Sequence, residues 1–164
     1  MIFVTVGTTH FDSLIRAVDV LNLPDRQQQE VIFQIGSGEY IPQTGKWFRF
    51  KPSIDDELEN ANLVVTHGGM TVLSLLTKER RFVSIANTAL ADNHQVKMLR
   101  MIAGHSAIIW SDRASDVQAC IDRALQQPPV KWTAPSLVPH LLSTLGVGQE
   151  SAHRRPTTSH GDAG

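Results

Sequence analysis

The sequence predicts an α/β fold, with a Rossmann-like parallel sheet of about six strands and helices on both faces. Short apolar runs rich in β-branched residues alternate along the chain with segments whose apolar residues recur at helical spacing. This alternation is typical of βαβ units, in which helices cover both faces of a parallel sheet. A chain of 164 residues is long enough for one such domain and too short for two of ordinary size.

The predicted strands are short, and the first three are followed by residues that interrupt a strand. Gly7 follows the first strand, Gly36 and Gly38 follow the second, and Pro52 follows the third. The third strand has the residue alternation of a strand at the margin of a sheet. In chain order, the six strands are predicted at residues 2–6, 31–35, 47–50, 62–66, 82–86 and 107–110.

Helical periodicity covers the segments between the strands. Asp12 and Ser13 lie near the start of the first helix, where acceptor side chains satisfy free backbone amides. The apolar face of that helix consists of Phe11, Leu14, Ile15, Val18 and Leu21. The later helices are predicted from the paired glycines at 68–69 to about residue 78, and over residues 54–60, 92–103 and 114–127.

The pattern weakens after residue 129. Leu137, Leu141 and Leu145 have the spacing of one more helix packed on the domain. From about residue 149 the chain contains almost no apolar residues, which is typical of a disordered tail. We therefore expect one domain over residues 1–148 and a tail over residues 149–164.

Charge and cysteine content exclude several classes of function. Fifteen Lys and Arg against sixteen Asp and Glu give a net charge of -1, which predicts no broad surface for nucleic acid or acidic lipid. The single cysteine, Cys120, rules out a disulfide framework, and its helical spacing predicts a buried thiol. We recognise no signal peptide and no apolar stretch of the roughly 20 residues that span a bilayer. A cytoplasmic chain that reaches the membrane only through a partner is expected.

Ligands of open parallel sheets bind beyond the carboxyl ends of the strands, and three polar segments are predicted there. The first follows strand one and contains Gly7, Thr8, Thr9 and His10. A tight glycine turn, two hydroxyls and free amides at a helix start suit a phosphate. An ordinary turn capped by threonine is the alternative, which this segment by itself favours.

The second segment, His67, Gly68, Gly69 and Thr71 with the residues between them, follows strand four. Paired glycines allow a ligand to approach the backbone closely, and the next helix directs its positive end at an anion. A structural histidine in a tight turn is the alternative. The segment lacks the Gly-Lys-Ser/Thr of a Walker loop and the G-x-G-x-x-G of dinucleotide folds.

The third segment runs from Asn87 to a polar cluster formed by Asp92, Asn93, His94 and Gln95. Such directional hydrogen-bonding groups suit the hydroxyls of a sugar. If Asp92 or Asn93 only caps the helix, the remaining polar residues have no explanation. Asp92 and His94 alone are too few ligands for a metal, so neither a metal nor a cofactor is expected.

These segments, in this order, resemble the C-terminal-domain family of glycosyltransferase family 28. The likeness covers about residues 1–127 and is strongest to short stand-alone members, such as the PssE-type subunits of exopolysaccharide synthesis and the catalytic subunits of two-chain N-acetylglucosaminyltransferases. The matching stretches are IFVTVGTTHFD at 2–12, QIG at 34–36, VVTHGG at 64–69, Asn87, and DNHQ at 92–95.

The resemblance implies the donor-binding, C-terminal half of a GT-B glycosyltransferase whose two halves are separate chains. This half binds a UDP-sugar, and a membrane-anchored partner brings a lipid-diphosphate-linked acceptor. The reaction that the resemblance implies is inverting transfer of an N-acetylglucosaminyl, galactosyl, glucosyl or glucuronosyl group. By position, the diphosphate faces Gly7, Thr8 and Thr9, the nucleotide diphosphate is lined by His67, Gly68, Gly69 and Thr71, and the donor sugar faces Asn87, Asp92, Asn93, His94 and Gln95.

Departures from the family pattern leave some alternatives open. Ser74 stands near the position of the family's ribose-binding Glu, so a non-catalytic subunit that stabilises or regulates a membrane-anchored partner is the alternative function. Arg80 and Arg81 replace part of a Gly-Lys-Pro motif, and they either contact an acidic donor or are solvated loop residues, which is the simpler interpretation. His10 is the candidate general base within this chain, although we favour a base from the partner or the rim.

Overall fold

Six parallel strands form one sheet in the computed structural model, which describes residues 1–21, 30–90 and 93–132. The strand order across the sheet is β3-β2-β1-β4-β5-β6, and every neighbouring pair is parallel. The predicted fold class is confirmed. The strands are β1 (Ile2–Thr5), β2 (Val31–Gln34), β3 (Lys46–Phe48), β4 (Leu63–His67), β5 (Phe82–Ile85) and β6 (Ile109–Ser111).

The strand order reverses between β1 and β4. The chain proceeds from β1 outward through β2 to β3, then returns to β4 and proceeds outward in the other direction. Loops that leave β1 and β4 at their carboxyl ends therefore diverge and leave a crevice between them, which is where open α/β sheets bind ligands. The loop after Thr5 and the loop after His67 border this crevice, since these residues end the two strands.

Helices cover both faces of the sheet because successive strand residues point to opposite sides. On one face, Val4 and Val65 pack with the apolar residues of α1 and α5. On the other, Phe3 and Val64 pack with those of α2, α3 and α4. The helices are α1 (Asp12–Asp19), α2 (Asp55–Asn60), α3 (Thr71–Thr77), α4 (His94–Ala103) and α5 (Val117–Gln126), and a single 3-10 turn at Ala114–Asp116 precedes α5.

Burial on both faces explains why the central strands are continuously apolar rather than alternating. Every residue of β1, from Ile2 to Thr5, is buried. Each fully buried Val, Ile or Phe contributes about 1.5–3 kcal/mol of transfer free energy. The prediction for Cys120 is also confirmed, because its thiol is buried on α5 and burial raises its pKa. No helix in the described part of the chain is long and apolar enough to cross a membrane.

Details of the elements differ from the sequence-based expectations. The marginal strand, β3, starts at Lys46 and ends at Phe48, two residues before the predicted end. The first helix has no side-chain cap, because the Asp12 carboxylate instead accepts hydrogen bonds from the amides of Glu39 and Tyr40 at 3.0 and 3.2 Å. The capping role predicted for Asp12 is therefore wrong. The helix predicted around residues 137–145 and the tail at 149–164 lie outside the described residues.

Candidate functional site

The loop after β1 turns sharply at Gly7. Its φ of +62° lies in the left-handed region that glycine adopts without strain. The turn is closed locally, since the Gly7 amide donates to Thr5 Oγ1 at 3.1 Å and the Thr9 hydroxyl donates to the Val6 carbonyl at 2.9 Å. Thr8 and His10 are exposed. The predicted threonine-capped turn is thus partly realised, with Thr9 bonding its own loop and Thr8 free to face solvent.

Three successive backbone amides of this loop have no partner in the described structure. The N–H groups of Thr8, Thr9 and His10 donate to no other described residue. Consecutive free amides after a left-handed residue form a concave arrangement that attracts anions. The loop therefore has the backbone chemistry that a phosphate group requires.

The turn after β2 packs directly against this loop. Gly36 has a φ of +53°, and a Cβ built on it would lie 2.1 Å from the Thr9 carbonyl oxygen and 2.7 Å from that of Gly7. The Ser37 amide donates to the same Thr9 carbonyl at 3.1 Å. Only glycine at position 36 permits this approach, so the QIG stretch serves the geometry of the first loop.

His67 ends β4 and lies between two glycines of the crevice. A Cβ on Gly7 would lie 3.4 Å from its Cε1, and a Cβ on Gly69 would lie 2.7 Å from its Nε2. Only 8% of the residue is exposed, and Nδ1 has no hydrogen-bond partner among the described residues. Burial lowers the pKa of His67, the neighbouring His94 lowers it further, and the Thr5 backbone acts in the opposite direction. The ring is therefore neutral at pH 7, with one donor and one acceptor nitrogen.

Gln95 joins the loops after β4 and β5. Its side-chain oxygen accepts a hydrogen bond from the Gly68 amide at 3.2 Å and another from the Asn87 amide at 2.8 Å. The residue is 3% exposed, and a Cβ on Gly68 would lie 2.9 Å from Gln95 Cβ. Glycine at position 68 thus allows α4 to approach the β4 loop, and the observed contacts of Gln95 are with backbone.

Asn87 joins the loops after β5 and β1. Its side-chain amide donates to the His10 carbonyl at 2.9 Å, and its Oδ1 accepts from the Ala89 amide at 3.2 Å. The residue is 2% exposed. Asn87 and Gln95 therefore fasten three loops to one another, and their predicted contact with a donor sugar stays a prediction.

The structure brings most of the predicted site residues to one edge of the sheet. The first loop, the His67 turn, Asn87 and Gln95 are joined by the contacts above. Thr71 starts α3 and is half-buried, Asn93 precedes α4 with a φ of 48° and is exposed, and His94 is half-buried. Asn93 makes no side-chain cap bond to α4. Asp92 lies outside the described residues.

The two arginines before β5 lie at the opposite end of the sheet. Arg80 Nη2 donates to the carbonyls of Glu59 and Ala61 at 2.6 and 2.9 Å, and Arg81 donates to the Gln127 carbonyl. Because these residues precede β5, they lie at the amino ends of the strands. The hypothesis that they contact an acidic donor sugar is wrong, since the three polar loops lie at the carboxyl ends.

Asp19 is a buried carboxylate that the sequence analysis missed. It is 2% exposed and accepts hydrogen bonds from the Tyr40 hydroxyl at 2.7 Å and the amides of Gln43 and Thr44 at 2.8 and 2.9 Å. Burial raises the pKa of Asp19, but the bonds from Thr44, Tyr40 and Gln43 together lower it below its ordinary value. An acidic residue next to Val18 at the end of an amphipathic helix was the available signal. Its role is to hold the loop between β2 and β3.

Arg49 is a second residue that sequence reasoning missed. It follows β3 and donates from Nη1 to the carbonyls of Gly36 and Gly38 at 3.1 and 2.6 Å. No pattern in the sequence distinguishes it from other exposed cations.

Among the described residues, no group of three His, Cys, Asp or Glu side chains is arranged to hold a metal ion.

Comparison with known proteins gives the family. The model of the glycosyltransferase family 28 C-terminal domain matches residues 1–110. The human UDP-N-acetylglucosamine transferase subunit ALG13 is 29% identical over 175 aligned positions, which cover 98% of this chain and 14% of that protein. Its mouse counterpart is 33% identical over 113 positions, which cover 61% of this chain and 10% of that protein. This chain therefore spans only a small part of the length of these curated relatives.

A solved structure agrees on the fold. The NMR solution structure of ALG13 superposes with a TM-score of 0.55 at 19% identity, covering 88% of this chain and 96% of that one. The resemblance read from the motifs is thus confirmed by sequence and by architecture. The chain belongs to the glycosyltransferase family 28 C-terminal domain family.

Proposed function

We propose that this chain is the donor-binding and catalytic subunit of a two-chain UDP-sugar glycosyltransferase. It transfers a hexosyl group, with inversion, to a lipid-diphosphate-linked acceptor that a membrane-anchored partner supplies in polysaccharide or glycolipid synthesis. The observation that carries the proposal is the meeting of the β1, β4 and β5 loops at the β1/β4 switch point, with three free amides in the first loop. Family membership over residues 1–110 supports it.

The diphosphate of the donor is assigned to the loop after β1. The amides of Thr8, Thr9 and His10 are free to donate, and developing charge on the leaving UDP is stabilised by donors that are already in place. The ring of His67 lies between Gly7 and Gly69, and because it is neutral it supplies a hydrogen bond without a charge. In this proposal no metal takes part, because main-chain N–H groups stabilise the anion by hydrogen bonds.

The donor sugar is assigned to the loop after β5 and the start of α4. The exposed Asn93 and the half-buried His94 are the polar side chains there that lie nearer to solvent. The buried Asn87 and Gln95 hold the loops in place around them. N-acetylglucosamine is the first sugar to test, because the mammalian relatives are named UDP-N-acetylglucosamine transferase subunits.

Reconstitution with a partner tests the proposal. The chain is co-expressed with a candidate membrane-anchored subunit, and transfer from UDP-N-acetylglucosamine, UDP-galactose, UDP-glucose and UDP-glucuronate to lipid-diphosphate acceptors is measured. We expect turnover by the complex and none by either chain alone. A complex that forms without binding any uridine nucleotide supports the alternative, a non-catalytic subunit that stabilises its partner.

A pair of histidine variants locates the general base. His10→Asn removes the exposed imidazole beside the first loop, and His105→Asn removes an exposed histidine that follows α4 at the other end of the sheet. If the base is His10, only the first variant lowers kcat, and it leaves UDP affinity unchanged. Equal kcat values for the two variants assign the base to the partner or to another residue at the rim.

A further inference from the structure

Arg49 clamps the turn after β2 from the carboxyl end of the sheet. Its Nη1 donates to the carbonyls of Gly36 and Gly38, at 3.1 and 2.6 Å. Bonds from a guanidinium to backbone carbonyls are charge-assisted and stronger than neutral ones. The clamp spans both ends of the turn, so Arg49 restrains the turn as a unit.

The turn after β2 also restrains the loop after β1. Gly36 abuts the carbonyl oxygens of Gly7 and Thr9, which a Cβ at position 36 would approach to 2.7 and 2.1 Å. The Ser37 amide donates to Thr9 at 3.1 Å. Two carbonyls of the first loop therefore face the β2 turn.

The orientation of these carbonyls determines the orientation of two amides. In a planar trans peptide, the C=O of one residue and the N–H of the next point in opposite directions. With the Gly7 and Thr9 carbonyls directed at the β2 turn, the amides of Thr8 and His10 are directed away from it. Both amides donate to no described residue, so they are available to an anion.

We infer that Arg49 is a positioning residue for the diphosphate, acting through the β2 turn rather than by touching the ligand. This inference rests on the proposed function. In this role, Arg49 keeps the amides of Thr8 and His10 directed away from the β2 turn. Loss of the clamp should therefore weaken binding of the diphosphate more than binding of the nucleoside.

The chain offers a matched control in Arg80. Arg80 also bonds two backbone carbonyls, those of Glu59 and Ala61, but at the amino ends of the strands. Arg49→Met and Arg80→Met each remove one positive charge and one double carbonyl clamp. We expect the two variants to lose comparable thermal stability. A difference in ligand binding between them therefore results from where the lost clamp lies in the fold.

The experiment measures UDP and uridine binding by NMR titration of the chain with its partner present. We expect Arg49→Met to weaken UDP binding about tenfold, the loss of roughly one strong hydrogen bond, and to leave uridine binding within about twofold. Arg80→Met should bind both as the wild type does. Chemical-shift changes on UDP addition are followed at the amides of Thr8 and His10.

Each outcome decides one of the two claims. If the wild type binds no uridine nucleotide, the proposed function is overturned, and this inference with it. If the wild type binds UDP and Arg49→Met binds it equally well, or if Arg80→Met loses as much affinity, only the inference is overturned. Should Arg49→Met not fold, Arg49→Lys against Arg80→Lys replaces the pair, with about a threefold loss of UDP affinity expected for the former only.

Discussion

The imidazole of His67 occupies the space beside Gly69 that a side chain at position 69 would need. A Cβ built on Gly69 would lie 2.7 Å from His67 Nε2, closer than real Cβ atoms approach a neighbour, and 3.1 Å from Cε1, closer than most do. The second glycine of the pair is thus explained by the histidine that precedes it. The buried, neutral ring of His67 and the backbone of Gly69, which carries no side chain, together form one wall of the crevice between β1 and β4.

Gly69→Ala tests that wall. The added methyl displaces the His67 ring, because overpacking of this kind costs about 1–3 kcal/mol and shifts neighbouring groups. We expect a fall in UDP affinity of about tenfold in titration calorimetry with the partner present. Gly104→Ala is the control, since a Cβ there would lie 3.3 Å from the Met101 carbonyl, away from the crevice. Unchanged UDP affinity in Gly69→Ala would contradict the assignment of His67 to the site.

Gln95→Ala is expected to destabilise the fold as well as to lower transfer. The substitution leaves the amides of Gly68 and Asn87 without their acceptor, at about 1–3 kcal/mol for each buried donor. Gln95→Glu keeps an acceptor oxygen and should recover most of the loss in urea unfolding at pH 7. Gln118→Ala, which removes a half-buried bond to Asp122, is the control. If Gln95→Ala lowers the free energy of unfolding no more than the control does, the two hydrogen bonds that Gln95 accepts are unimportant for stability.

The free energy of unfolding should decrease at acid pH because of His67. Burial holds the pKa of its imidazole below the ordinary 6.5, so the unfolded chain takes up a proton that the folded chain resists. The contribution of His67 to the free energy of unfolding is therefore complete above pH 6.5 and is lost as pH falls below it toward the folded pKa. Chemical denaturation between pH 7.5 and 5 measures the slope. His67→Asn should flatten this slope, and an unchanged slope would assign the acid sensitivity to other groups.

Asp19→Asn should release the loop between β2 and β3. The amide retains one acceptor oxygen and replaces the other with an NH2 group, which faces either the donors of Tyr40 and Gln43 at the Oδ2 position or the Thr44 amide at the Oδ1 position, so a loss of about 2–4 kcal/mol is expected. Because the pKa of Asp19 lies below its ordinary 3.8, the carboxylate stabilises the fold above that pH and stops doing so as pH falls further. Asp122→Asn, which retains an acceptor oxygen for its single half-buried bond from Gln118, is the matched control in urea unfolding. Equal losses in the two variants would refute the role of Asp19.

The elements themselves were predictable because their signals are local. The apolar run at residues 82–86 indicates a strand whatever surrounds it, and the spacing of Val117, Cys120 and Ile121 indicates a buried helix face. Boundaries were less predictable. The end of β3 at Phe48 depends on its pairing with Gln34 at the edge of the sheet, and no residue within the strand specifies that pairing.

The roles within the site were predictable only in part. Glycines and histidines in strand-end loops indicated the location, and His67 does lie there between Gly7 and Gly69. The sequence could not distinguish a residue that faces the crevice from one that supports it. Gln95 contacts two amides that are 27 and 8 residues away in the chain, and Arg49 holds carbonyls 11 and 13 residues away.

The sequence by itself determined the order of strands and helices, the segments that reach the carboxyl edge and the family to which they are similar. Each of these depends on periodicity or on residues that are close in the chain. Only the tertiary structure decided that Arg80 lies at the far end of the sheet, that Asn87 and Gln95 join loops, and that Arg49 supports the first loop through Gly36. Side-chain hydrogen bonds between distant segments exist only after the sheet has assembled, because the strand order brings their partners together.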